Sequence, residues 1–154
     1  MPDCYVLGAV DPEMDRIEEV LRAVDCLVVH AKKDGKRVHA GNAYDADNVG
    51  DIPANAPVIF IESHIVGVTP QKFIDHHRPG DPGYHKDPTE YWQASSLGQL
   101  YAQLGAQPAP EDYVLAAMDH CYNAAMKGGC PGVSRAEVLS RKINEIAAAT
   151  GYSV

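Results

Sequence analysis

The run Asp75-His76-His77-Arg78 brings together the most chemically capable side chains in this 154-residue sequence. Two adjacent imidazoles beside a carboxylate can supply metal ligation from one ring and substrate contact from the other, and the Arg78 guanidinium offers a donor fork suited to phosphate. Tandem histidines also occur on surface loops without a role. Three further places carry acids in telling positions. Glu13 and Asp15 follow Asp11-Pro12 where a strand turns into a helix, a position that also suits an N-cap and acids complementing a helix dipole. Glu62 ends the apolar run Val58-Ile59-Phe60-Ile61, either as a loop start or as an acid delivered to the same sheet edge as Glu13 and Asp15. Asp119 interrupts the apolar stretch Tyr113 to Met118, as an exposed helical acid or as one that binds a cation.

These residues need a scaffold that gathers strand ends. Tyr5 to Val10 reads as a strand, followed by a helix with apolar residues at Met14, Ile17, Val20, Leu21 and Val24. Cys26 to His30 and Pro57 to Ile61 read as further strands and Lys36 to Ala40 as another, while Val68 to Ile74 combines a turn with a short strand. The Pro-, Gly- and His-rich segment from His76 to Pro88 is expected to be a long functional loop. Helices are expected over Thr89 to Leu104, Glu111 to Lys127 and Ser134 to Ala149, the last opened by the capping box Ser134-x-x-Glu137. The pattern predicts an α/β protein, a three-layer domain with a mostly parallel sheet flanked by helices, spanning residues 1–154 as a single domain.

Composition narrows the partners. With 13 basic and 21 acidic residues the formal charge is −8, which disfavours long nucleic acid and anionic membrane surfaces. No apolar run reaches the roughly 20 residues needed to span a bilayer, and the first residues lack a secretory pattern, so a cytoplasmic location is expected. Cys4, Cys26, Cys121 and Cys130 form no Cys-x-x-Cys pair and are read as buried free thiols.

In order and spacing, the four segments resemble the DHH phosphoesterase superfamily, which includes family II inorganic pyrophosphatases, single-strand DNA exonucleases, oligoribonucleases and cyclic-dinucleotide phosphodiesterases. Gly8-Ala9-Val10-Asp11-Pro12-Glu13-Met14-Asp15-Arg16-Ile17 follows the frame of the pyrophosphatase motif Gly-His-x-Asn-Pro-Asp-x-Asp-Ser-Ile. Glu62 stands where the family has an Asp after a buried strand, and Asp75-His76-His77 matches its third motif unaltered. Asp119 falls where the family places its last acid, and Ala94-Ser95-Ser96 resembles its helix start. The likeness runs over roughly residues 4–125 of the chain.

The resemblance implies a phosphoesterase that uses one or two divalent metals, manganese first, with magnesium or another divalent ion as alternatives. It would place Glu13, Asp15, Glu62, His76 and Asp119 as metal ligands, with His77 and Arg78 facing the phosphoryl oxygens and Asp75 completing the catalytic group. The loop residues Tyr84, His85 and Lys86 would contact substrate. The implied substrate is a small phosphodiester or a mono-, oligo- or cyclic nucleotide. Departures are specific: Ala9 replaces a histidine ligand, Glu13 and Glu62 replace aspartates, and the family's usual C-terminal substrate-binding domain is not expected here. His64 could substitute for the lost imidazole, or the chain could be a degenerate module that binds a nucleotide or protein partner without turnover. An unrelated doubly wound domain with matching motifs is a third reading. Tyr91 and Trp92 read as packing residues that a homo-oligomer could also use.

Overall fold

The computed structural model describes residues 2–151 and divides the chain into two compact units, Met1–Tyr84 and His85–Val154. The first unit is built on a parallel sheet. Its strands are β1 (Cys4–Leu7), β2 (Leu27–His30), β5 (Val58–Ile61) and β6 (Lys72–Ile74), in the order β2-β1-β5-β6. β1 and β5 are buried along their whole length, which explains their unbroken apolar runs: a central parallel strand has no water-facing side to alternate with.

Helix α1 (Pro12–Ala23) starts where the sequence indicated. The Asp11 carboxylate accepts a hydrogen bond from the Met14 amide at 2.7 Å, Pro12 occupies the first turn, and Met14, Ile17, Val20 and Leu21 form the buried face. The expected strand at Lys36–Ala40 is instead half of a hairpin outside the parallel sheet. β3 (Lys32–Lys33) pairs antiparallel with β4 (Lys36–Arg37). Asp34 and Gly35 both have positive φ, 52° and 77°, the conformation that two-residue hairpin turns require. The Arg37 guanidinium reaches back from this hairpin, its Nε and Nη2 donating to the Gly8 carbonyl at 3.1 and 2.9 Å.

The second unit is helical: α2 (Tyr91–Ala94), α3 (Ser96–Leu104), α4 (Pro110–Met126) and α5 (Arg135–Thr150). The single helix expected over Thr89–Leu104 is broken into a 3-10 turn (Pro88–Glu90), α2 and α3. Ser95 causes the break: its backbone is extended (φ −63°, ψ 149°), and its hydroxyl accepts from the Gly98 amide at 3.0 Å while donating to the Trp92 carbonyl at 2.9 Å. Gly98 must be glycine, because a Cβ there would lie 1.7 Å from the Trp92 carbonyl oxygen. The helix expected over Glu111–Lys127 is present but kinks at Cys121 (φ −150°, ψ 61°). Helix α5 carries the anticipated capping box, with Ser134 Oγ accepting from the Glu137 amide and the Glu137 carboxylate accepting from the Ser134 amide.

The structure bears out the α/β class and the mostly parallel sheet on which a three-layer domain is built. The four cysteines are free, Cys4 and Cys130 buried and Cys26 and Cys121 partly so. Burial, then the hydrogen bond shared with Cys130, pushes the Cys121 thiol up to about 12. Among the described residues, no helix is long and apolar enough to cross a membrane.

Candidate metal centre

Register decides which residues meet in the first unit. Leu7 pairs with Ile61, and Ile61 with Ile74, so the next residues along the three strands, Gly8, Glu62 and Asp75, emerge together at the carboxyl edge of the sheet. The chain passes from β1 to β2 on one side and later to β5 on the other. Gly8 and Glu62 therefore flank the point where strand order reverses, the usual place for a ligand in an open parallel sheet.

The backbone at this point is tightly constrained. The Gly8 amide donates to the Ile61 carbonyl at 3.0 Å and the Glu62 amide to the Ile74 carbonyl at 3.1 Å. A Cβ on Gly8 would sit 2.0 Å from the Glu62 carbonyl oxygen, so only glycine admits this approach. Glu62 itself has φ 51°. Asp25, Asp34, Asn55 and His85 also have positive φ but are exposed, whereas Glu62 is buried. Holding a non-glycine residue there costs on the order of 1 kcal/mol and is characteristic of residues whose side-chain direction matters.

Around Glu62 the side chains divide into two kinds. Glu13 is 1% exposed and Glu62 7% exposed. Potential ligand atoms of Glu13, Glu62 and His76 lie within 4.8 Å of one another, as do those of Glu62, His76 and His77. Glu62 Oε2 is buried without a hydrogen-bond partner, and it stands 3.5 Å from His76 Nε2. That spacing is long for a hydrogen bond, but two ligands each about 2.1 Å from one tetrahedral ion lie about 3.4 Å apart. An ionised carboxylate in this setting is costly without a cation nearby, so the donor set of two buried carboxylates and an imidazole fits a divalent metal.

Asp75 is of the second kind. It is fully buried, and its oxygens are taken up by the protein. Oδ1 accepts from the His76 amide at 2.7 Å, the His77 amide at 3.1 Å and His77 Nδ1 at 2.7 Å, while Oδ2 accepts from the Tyr44 hydroxyl at 2.6 Å. Burial pushes the Asp75 carboxyl up, but the bonds from His77 and Tyr44 outweigh it and leave the group below its ordinary range. The His77 imidazole is raised, chiefly by that bond to Asp75 and against the effect of its own burial. With Nδ1–H directed at Asp75, the outer edge of the ring remains available, and the His77 side chain is 49% exposed.

Arg78 lies with its guanidinium carbon 3.7 Å from the centre of the Tyr44 ring, which fixes a long side chain through cation–π contact. Tyr44 thus supports both Asp75 and Arg78, a role the sequence reading missed. Its one available signal is a lone aromatic in the polar stretch Gly41–Gly50. Tyr44, Glu62 and His77 join Ala9, Asp11, Ala40 and Ala43 in lining a pocket of about 190 Å³.

Among the other sequence candidates, Asp15 and His64 do not join the Glu62 groups. Asp15 is exposed and outside both ligand groups. His64, considered as a replacement for the imidazole absent at Ala9, is engaged with the Val68 carbonyl at 3.2 Å and packs against the rings of Phe60 and Phe73. Tyr84 ends the first unit in a turn closed by its amide on the Asp81 carbonyl at 3.1 Å. His85 and Lys86 are exposed in the second unit, where the Lys86 carbonyl is 3.0 Å from His120 Nε2. Asp119 is partly buried on α4 of that unit. No protein-family model, curated protein or solved structure matches the chain.

Proposed function

We propose that the carboxyl edge of the parallel sheet is the site of a metal-dependent phosphoesterase acting on a small phosphodiester or nucleotide. The observation that carries this reading is the buried Glu62 Oε2, without a hydrogen-bond partner and 3.5 Å from His76 Nε2. The proposed site stands on the first unit alone. Glu13, Glu62 and His76 would hold a divalent ion such as manganese. When bound, the metal supplies Lewis acidity and lowers the pKa of its water toward neutrality.

The chain's own residues have separable tasks. Asp75 holds His77 by its Nδ1–H, which leaves the opposite nitrogen to give a proton to the departing oxygen. Arg78, braced on Tyr44, donates to the phosphoryl oxygens. Glu62, fixed by its backbone, presents a carboxylate beside Glu13 and His76, where it would help hold the cation. The pocket, at about 190 Å³, is below the roughly 300 Å³ at which drug-sized ligand sites begin, and so suits the phosphate group, with the ester substituents extending outside it.

The direct test is hydrolysis of bis(4-nitrophenyl) phosphate with manganese, comparing the native protein with Glu62→Gln and His76→Ala. Manganese-stimulated turnover lost in both variants supports the reading; no stimulated turnover in the native protein overturns it. Binding without turnover is a second reading, favoured by Asp15 lying exposed outside the ligand groups. It requires tight binding of a nucleotide that is recovered intact.

A further inference from the structure

The second unit holds a pair of sulfur atoms that the metal chemistry does not use. Helix α4 leaves helical geometry at Cys121 and then continues to Met126. The chain reverses at once: the Gly128 amide donates to the Ala125 carbonyl at 3.1 Å and the Gly129 amide to the Ala124 carbonyl at 2.8 Å, while Gly128 takes φ 75°. This reversal folds Cys130 back along the helix it has just left. The Tyr91 hydroxyl fastens the following residue, donating to the Pro131 carbonyl at 3.0 Å. Cys130 is 2% exposed within a cluster that includes Tyr91, Val133 and Val138, with Cys121 packed against it. The two Sγ atoms are 3.1 Å apart.

We propose that Cys121 and Cys130 are a reversible dithiol–disulfide pair, oxidised within one chain by a low-molecular-weight disulfide. A protein S–S bond is about 2.05 Å long, so closure requires the sulfurs to approach by only about 1 Å, a movement within reach of small rotations about the side-chain bonds. The reaction balances as two exchanges. One cysteine thiolate attacks a sulfur of the small disulfide, making a mixed disulfide and expelling a small thiolate; the second cysteine then displaces the remaining small thiol. Two protein S–H bonds are lost, one protein S–S bond forms, and the oxidant leaves as two thiols carrying the released protons. The product fastens the kink of α4 to the connection that leads into α5. Cys4, buried in β1, and Cys26 serve as internal controls, since both are also free.

The experiment uses the full chain in native buffer with glutathione disulfide, followed by alkylation in denaturant and peptide mass analysis. The expected result is the loss of two of the four alkylatable thiols, a cross-linked peptide joining Cys121 to Cys130 at the mass of two fewer hydrogens, and full recovery on reduction. Cys121→Ser and Cys130→Ser should each abolish the cross-link, and the double variant Cys4→Ser/Cys26→Ser should retain it. Native protein should favour this pairing by at least about 10-fold over any other, because the fold supplies a high effective concentration. A cross-link that includes Cys4 or Cys26, a link between two chains, persistent glutathione adducts on Cys121 or Cys130, or four thiols still alkylated would each overturn the proposal.

Discussion

Glu62 and Asp112 are both buried acids, yet the protein treats them oppositely. Asp112, in the first turn of α4, accepts from the Tyr101 hydroxyl at 2.6 Å and from the Ala109 amide at 2.8 Å. It closes a helix start and ties α3 to α4, a structural use of a carboxylate. Glu62 is held in a left-handed backbone conformation and keeps one oxygen without a hydrogen-bond partner. Burial alone therefore does not identify a functional acid; the state of its lone pairs does. Asp75 lies between the two, as buried as Asp112 and as well satisfied, but its donors include the exposed His77 that it orients.

The largest effect should come from Asp112→Ala. It strands the Tyr101 hydroxyl and the Ala109 amide, for a loss of about 3 kcal/mol and a fall in Tm of about 10 °C, read by thermal denaturation with no change in metal affinity. The comparison fails if the loss is under about 1 kcal/mol. Glu62→Gln should behave in reverse. Manganese affinity, measured by calorimetry, should fall more than about 10-fold, the loss typical even for outer partners of metal ligands. Stability without metal should hold or rise, since a buried charge is removed. Destabilisation equal to that of Asp112→Ala would place Glu62 among the structural acids.

Asp75→Asn should leave metal binding closer to native but change the pH profile. The raised His77 value means its proton is held through pH 6.5 and lost only as pH climbs through the folded value. Activity that needs this proton falls on the alkaline side, and removing the Asp75 charge should move that limb toward lower pH. An unmoved limb would detach His77 from the proton transfer. The smallest effect is expected at Glu18, whose carboxyl burial raises but which hydrogen bonds from Arg22 and His30 bring below its ordinary value. Its contribution is present above about pH 4.5 and lost as pH falls through the folded value. Glu18→Gln should cost about 0.5 kcal/mol at pH 7, and the difference from native should vanish in acid.

Much of this arrangement was legible in the sequence because it rests on local rules. The unalternating run Val58–Ile61 marked a central strand and Asp11-Pro12 marked the start of α1. The Asp75-His76-His77-Arg78 run held the residues that the structure places around Glu62 and Tyr44. The hairpin around Asp34-Gly35 was not legible, because the short flanking strands Lys32–Lys33 and Lys36–Arg37 carry no apolar alternation. The break at Ser95 falls at the helix start that Ala94-Ser95-Ser96 resembled, although apolar periodicity on either side suggested one continuous helix. Tyr44 and the Cys121–Cys130 contact were not legible, because they depend on a loop path and a helix kink that bring distant positions together. Nor could sequence distinguish the saturated oxygens of Asp75 from the open one of Glu62, since both are acids that directly follow a strand of the parallel sheet.

The register that sets Gly8, Glu62 and Asp75 beside one another acts as a ruler made of backbone. Strand spacing of about 4.8 Å fixes the lateral separation of these positions, and a one-residue slip would carry a side chain about 3.3 Å along and to the opposite face. Substituting one acid for another at such a position changes reach while keeping direction, whereas inserting or deleting a residue within β5 or β6 loses both. The acids of this row are thus tolerant of exchange for one another and intolerant of changes in length, and insertions should survive only in the loops that lie away from this row of strand ends.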